Sequence, residues 1–213
     1  MRDCVFFVAD KTMRDTFLGF LSRADRTTQL QCGDFDFDPN DDLFFAAGQN
    51  DSGLYIRANE LLRPFQRTHR KVVVALDCDW DGSPGQGAIL RRIGQQLQES
   101  GWEAGRFLVI AIDPELEAWI WQDSPVVERE LRHAGPSRLR LSLAQRGLWP
   151  ADQDKPQRPK EVFQQVQKEN RVKKSSAVYQ RIATAIRINA CTDTEFQRLT
   201  AQLRAWFPAG AAT

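Results

Sequence analysis

The sequence predicts an α/β protein, a parallel sheet flanked by helices with a C-terminal helical part, and three observations carry that prediction. Uninterrupted apolar runs at residues 5–9, 72–76 and 107–112 have the length and the β-branched or aromatic content of strands buried on both faces. Amphipathic stretches lie between them, as the crossovers joining parallel strands require. After Ile112 the strand signals stop and helix signals continue alone. At 213 residues, 42% hydrophobic and 27% charged, the chain is long enough for one well-buried domain with a helical appendage, and its composition excludes disordered and collagen-like classes. No apolar run approaches the roughly 20 residues that cross a bilayer. Asp10 interrupts any signal-peptide core, so a cytoplasmic location and no membrane partner are expected.

Each element has its own signal. Residues 5–9 (VFFVA) are the first strand. In the helix after it, Thr12 and Asp15 stand at capping-box spacing, and Met13, Phe17, Phe20 and Leu21 recur on one face to about Arg23. A second strand is expected near residues 29–37. It overlaps a segment, 33–51, with six aspartates and neither Lys nor Arg, which otherwise reads as a loop. Leu54, Ile56, Leu61, Leu62 and Phe65 mark a helix over 54–65, disturbed at Pro64. Residues 72–76 (VVVAL) are the clearest strand and run into the acidic turn 77–82 (DCDWDG). Ile89, Ile93 and Leu97 place a crossover helix over 85–98, leading to the strand at 107–112. Asp113-Pro114 and Ser124-Pro125 each open a helix by cap and first-turn proline. A short helix over 138–145, a Pro-rich connection over 150–159 and helices over 160–169, 176–188 and 193–207 complete the chain. The last has Thr192 and Glu195 as a capping box, and residues 209–213 are expected to fray.

The formal net charge of +1 hides an asymmetry. Residues 1–131 hold 14 Lys and Arg against 22 Asp and Glu, whereas residues 132–213 hold 15 against 6. We therefore divide the chain into an acidic α/β domain, 1–131, and a basic helical region, 132–213, packed on it. The split suggests an acidic or metal-binding face in the first part and an anion-facing surface in the second; solvated helix faces are the alternative. Four cysteines without a C-x-x-C pair and two histidines without zinc-ligand spacing exclude the common zinc hydrolases and a histidine-based triad. The chemistry must rest on carboxylates.

In an open parallel sheet, ligands bind beyond the carboxyl ends of the strands. Here each apolar run ends in acid: Asp10 after the first, Asp77, Asp79 and Asp81 after the second, Asp113, Glu115 and Glu117 after the third. Residues two apart in an extended chain point to the same side, so Asp77, Asp79 and Asp81 are candidate metal ligands, joined from neighbouring strand ends by Asp10 and by Glu115 or Glu117, of which Glu117 is the preferred candidate. Oxygen-only ligands favour Mg²⁺ or Mn²⁺. The alternatives are an ordinary polar turn for 77–82, and helix-start acids for Asp10 and Glu115. In the basic half, Lys155, Arg158, Lys160, Lys168, Arg171, Lys173 and Lys174 form a basic stretch suited to phosphates or a DNA or RNA backbone, with solvated linker and helix faces as the alternative.

These residues resemble a known family. A first-strand acid at Asp10 and the strand-end pair Asp77-x-Asp79 look like a Toprim domain, which binds Mg²⁺ in topoisomerases, primases and related nucleases. Residues 8–13 (VADKTM), 62–65 (LRPF), 113–125 (DPELEAWIWQDSP), 158–161 (RPKE) and 175–180 (SSAVYQ) resemble a small Toprim-like bacterial protein of the methylation-associated phage-defence system. The resemblance implies a component of a multi-gene antiviral system whose partners are the other proteins of that system. It also implies a Mg²⁺ site at Asp77 and Asp79, with Asp10 or Glu117 as catalytic base or third ligand and Lys160 or Lys174 as phosphate contacts. Toprim enzymes usually carry Glu where Asp10 stands, and the second acid expected a turn later is Arg14 here or is shifted to Asp15. Two functions follow: a Mg²⁺-dependent nuclease acting on invading nucleic acid, or a non-catalytic sensor or scaffold subunit of a defence complex.

Overall fold

A computed structural model describes residues 1–210. Four strands, β1 (Arg2–Val8), β2 (Leu43–Phe45), β3 (His69–Asp77) and β4 (Phe107–Ile112), form one sheet in the order β2-β1-β3-β4, all parallel. Phe6 pairs with Val73, and Val73 with Leu108, so the two-residue period of each strand stays in phase across the sheet. Cys4, Phe6, Val8, Val73, Ala75, Leu108, Ile110 and Ile112 therefore face one side, and Val5, Phe7, Val72, Val74, Leu76, Val109 and Ala111 the other. Both sides are buried, which is why the strands read as continuous apolar runs.

The helices divide between the two faces. Leu54, Ala58 and Leu62 of α3 (Asn50–Leu62), with Ile89, Ile93 and Leu97 of α4 (Gln86–Glu99), cover the second face. Phe17 and Phe20 of α1 (Lys11–Leu21) cover the first, along with α2 (Arg26–Leu30) and α5 (Glu117–Ile120). The C-terminal helices α6 (Pro125–Glu130), α7 (Leu139–Gln145), α8 (Pro159–Glu169), α9 (Ser176–Ala185) and α10 (Thr194–Trp206) complete that layer. Trp119 makes an edge contact with Phe196 of α10, and Trp121 one with Phe163 of α8, so the helical region and the sheet share one core. Helix α10 also covers the β4 edge, where Glu195 accepts a hydrogen bond from the Ala111 amide.

The closest helix pair is α1 with α9. A Cβ at Gly19 would lie 2.6 Å from the Gln180 carbonyl oxygen and 2.7 Å from the Ala183 Cβ, so only glycine permits this approach. Arg23, just past the end of α1, donates to the Ala183 and Ile186 carbonyls at the end of α9.

The architecture is the expected one, an all-parallel sheet flanked by helices with C-terminal helices, consistent with a Toprim-like arrangement. Several elements differ. The second strand is not at 29–37 but at Leu43–Phe45. Residues 26–30 are helical, Gln31 ends that helix at φ 55°, and the alternating Phe35 and Phe37 pack on Phe6 instead of entering the sheet. Phe35 also stacks on Phe207 at 4.6 Å. Helix α1 is capped by Asp10, not Thr12, and α10 by Asp193, not Thr192. The helix expected from Asp113 begins only at Glu117. The disturbance at Pro64 is a change from α3 into a 3-10 turn over Arg63–Arg67. The expected fraying over 209–213 falls, for residues 211–213, outside the described residues. Among the described residues, no helix is long and apolar enough to cross a membrane.

Candidate functional site

The strand order fixes where a ligand should bind. From β1 the chain moves outward to β2, returns across β1 to β3, and continues to β4. Helix α1 therefore lies on one face and α3 and α4 on the other, and a crevice opens between the carboxyl ends of β1 and β3, where the winding reverses. Asp10 follows β1 and Asp77 ends β3, so the two acids flank that crevice. A cavity of about 340 Å³ sits there, lined by both acids, Glu117, Lys160, Lys174 and Tyr179, among others.

Each acid is held by the backbone or by a helix. Asp10 caps α1, its Oδ1 accepting from the Met13 amide at 2.8 Å. Asp77, 6% exposed, accepts from the Leu116 amide at 2.8 Å, and its own amide donates to Asp51 Oδ1 at 2.8 Å. Glu117, 3% exposed, accepts from the Tyr179 hydroxyl at 2.6 Å. Glu115 is also buried; it accepts from the Lys160 amide at 2.9 Å and lies 3.2 Å from the Lys160 ammonium.

Crowding of carboxylates in a buried space governs the electrostatics. Burial, then the charges of Asp51, Glu117 and Asp10, push the Asp77 carboxyl well above the ordinary aspartate range, against a lowering pull from Lys160. Burial likewise raises Glu117, with the Tyr179 hydrogen bond and Lys160 opposing. Burial raises Asp51 as well. Burial lowers Lys160, but Glu117, Glu115 and Asp77 together hold its ammonium charged well above the ordinary lysine range. Of the strand-end acids, Asp10, Asp77 and Glu117 line this cavity, whereas Asp113 lines another, and Lys160 from α8 supplies a counter-charge.

Asp79 and Asp81 do not join them. Both are exposed, on a separate cavity of about 600 Å³ bordered by Trp80, Gly82, Ser83 and Pro114. The expected alternation fails because the strand ends at Asp77. The Cys78 and Asp79 amides both donate to the Pro114 carbonyl, at 3.1 and 3.0 Å, which curls the chain away from the extended form. The set Asp77, Asp79 and Asp81 is therefore corrected to Asp77 alone at this site. Among the described residues, no group of three or more His, Cys, Asp and Glu side chains is arranged to hold a metal ion. Asp10 and Asp77 are the two carboxylates that the ends of β1 and β3 bring to this cavity.

Lys160 and Lys174 both line the cavity, in different states. Lys160 is committed to the acids, whereas the exposed Lys174 makes no ion pair among the described residues and donates only to Gln164 at 3.2 Å. Lys11 at the mouth is paired with Asp15 and donates to Ser176 at 3.0 Å. Sequence reasoning missed Asp51, Tyr179 and Gln167, which reach the site from elements remote in the chain. Comparison with known proteins finds no matching family model, no matching curated protein and no matching solved structure.

Proposed function

We propose that the protein is a Toprim-like component of a bacterial antiviral system and a Mg²⁺- or Mn²⁺-dependent phosphodiesterase acting on invading nucleic acid. The observation that carries this reading is one cavity at the β1/β3 switch point combining the buried acids Asp77 and Glu117 and the half-buried Asp10 with Lys160 and Lys174. The motif blocks described above supply the link to antiviral defence.

Asp10 and Asp77 would hold the divalent ion, which, when bound, polarises the phosphate and activates water. The remaining chemistry belongs to the chain. Glu117, whose carboxyl burial raises above the ordinary glutamate range, accepts the proton of the attacking water, and Tyr179 fixes the orientation of its carboxylate. Lys160 offsets the charge that gathers among Glu115, Glu117 and Asp77 as the proton leaves. Lys174, at the mouth, meets the incoming phosphate.

A second reading, a non-catalytic sensor or scaffold within a multi-protein defence complex, draws on a different observation. Each acid already has a structural partner: the Met13 amide for Asp10, the Leu116 amide for Asp77, the Tyr179 hydroxyl for Glu117. One experiment separates the two. The pure protein is incubated with single- and double-stranded DNA and RNA in Mg²⁺, Mn²⁺ or EDTA, beside Asp77→Asn and Glu117→Gln. Metal-dependent cleavage lost in both variants supports the enzyme. Phage protection and co-purification of the neighbouring gene products that both survive Asp77→Asn support the subunit.

A further inference from the structure

Part of the block at 113–125 serves a second cavity. Leu116 and Glu117 line the acid cavity, whereas Trp121 to Pro125 line a separate space of about 590 Å³, bordered elsewhere by Asp154, Lys155, Arg187 and Thr192 among others. Lys155 comes from the Pro-rich connection over 150–159 and is half-buried. Its ammonium donates to the Trp121 carbonyl, and among the described residues no carboxylate stands within ion-pair distance of it.

An ammonium held among protein atoms without a carboxylate loses hydration that nothing repays, so burial favours the neutral amine. Burial lowers Lys155 from the ordinary lysine range, against the opposing charges of Cys191, Asp193 and Asp154. Those charges are weak opponents. Burial raises the Cys191 thiol, which leaves it uncharged at neutral pH, and the Asp193 carboxylate is engaged as the cap of α10, accepting from the Glu195 and Phe196 amides and the Trp119 indole. Of the other charges on the cavity, Asp123 pairs with Arg138 at 2.9 Å, and the positive Arg187 itself favours a neutral neighbour. The neutral amine keeps an N–H for the Trp121 carbonyl and gains a lone pair. The other six lysines differ. Lys11 and Lys160 are paired with Asp15 and Glu115, Lys71 lies over the Trp206 ring, and Lys168, Lys173 and Lys174 are exposed.

The geometry points to Lys155 as an acylation site, an amine set beside a cavity with room for the incoming group and reactive toward a small acyl phosphate or acyl thioester. The nitrogen attacks the acyl carbonyl, a C–N bond forms as the C–O bond to phosphate or the C–S bond to thiolate breaks, and the neutral amine gives one proton to solvent. The resulting amide keeps one N–H for the Trp121 carbonyl and removes a positive charge. This site stands apart from the acid cavity and does not depend on what that cavity does.

The test treats the full-length protein with limiting acetyl phosphate, or with an acetyl thioester, from pH 6.5 to 10 and follows each of the seven lysines by mass spectrometry. At pH 7.5 Lys155 should be acetylated faster than the exposed Lys168 and Lys173, and its rate should level off at a lower pH than theirs, because its free base is complete sooner. The donor that reacts faster at Lys155 identifies the source of the acyl group. In urea sufficient to unfold the chain the advantage should vanish, since it comes from burial and not from the neighbours in sequence. A rate at Lys155 no greater than at Lys168 and Lys173, a profile that levels off at the same pH as theirs, or an advantage that survives unfolding overturns the assignment.

Discussion

Asp77→Asn should make the protein more stable at neutral pH and flatten its pH dependence. The folded state holds the Asp77 carboxyl above its ordinary range through burial and the neighbouring Asp51, Glu117 and Asp10. Between the unfolded value near 4 and the folded value, the native state therefore keeps a proton that the unfolded chain has lost, and stability falls as pH rises. One such group gives a slope of up to about 1.4 kcal/mol per pH unit, and Glu117, raised in the same direction, adds a similar contribution in its own window. Asparagine keeps an oxygen for the Leu116 amide and removes the titrating proton. Asp77→Ala, by contrast, strands that buried amide at a cost of about 1–3 kcal/mol at every pH. The assay is urea unfolding of wild type and both variants at half-unit steps from pH 4.5 to 8.5. A decline with pH that is as steep in Asp77→Asn as in wild type would refute the reasoning, because the proton would then reside elsewhere.

Four further outcomes follow from the packing. Tyr179→Phe removes the donor to buried Glu117, should cost about 1–3 kcal/mol in urea unfolding, and should shift any pH profile governed by Glu117 upward. Gly19→Ala forces α1 and α9 apart and should lower stability by about 1–3 kcal/mol, with a fall in melting temperature checked by calorimetry. Asp42 is fully buried; burial raises its carboxyl, but Arg2, the Asp38 amide and His69 together hold it below the ordinary range. Its stabilisation is present above pH 4 and lost as pH falls through the folded value, so Asp42→Asn should cost about 3–5 kcal/mol at pH 7 and less at pH 3, by circular dichroism. Residues 1–131 expressed alone should not fold cooperatively, since Trp119 and Trp121 lose Phe196 and Phe163; a sharp unfolding transition of that fragment would contradict the shared core.

What the sequence disclosed follows from where residues are buried. Strands β1, β3 and β4 were legible because both their faces are covered, which writes an unbroken apolar run. Strand β2 has three residues and pairs with β1 alone, so it left almost no pattern, and the stronger alternation at 34–38 belongs to phenylalanines that pack on Phe6, with Phe35 also stacked on Phe207 just past α10. Asp10, Asp77 and Glu117 were legible as acids ending strands or opening helices. Asp79 and Asp81 misled because the curl set by the Pro114 carbonyl is a tertiary contact, invisible to a period-two rule. Tyr179 and Gln167 carried no local signal at all, since their place depends on how α8 and α9 dock; Tyr179 was marked only by lying in the 175–180 block.

The tight seam at Gly19 couples the two ends of the chain in time as well as in space. During synthesis the floor of the pocket emerges with residues 10 and 77, yet its far wall, residues 160 to 179, leaves the ribosome last and must slot against a helix made at the outset. A nascent chain thus passes through most of its translation with the acids laid out and nothing above them, and a host making a protein of this kind meets a finished pocket only once α9 has seated.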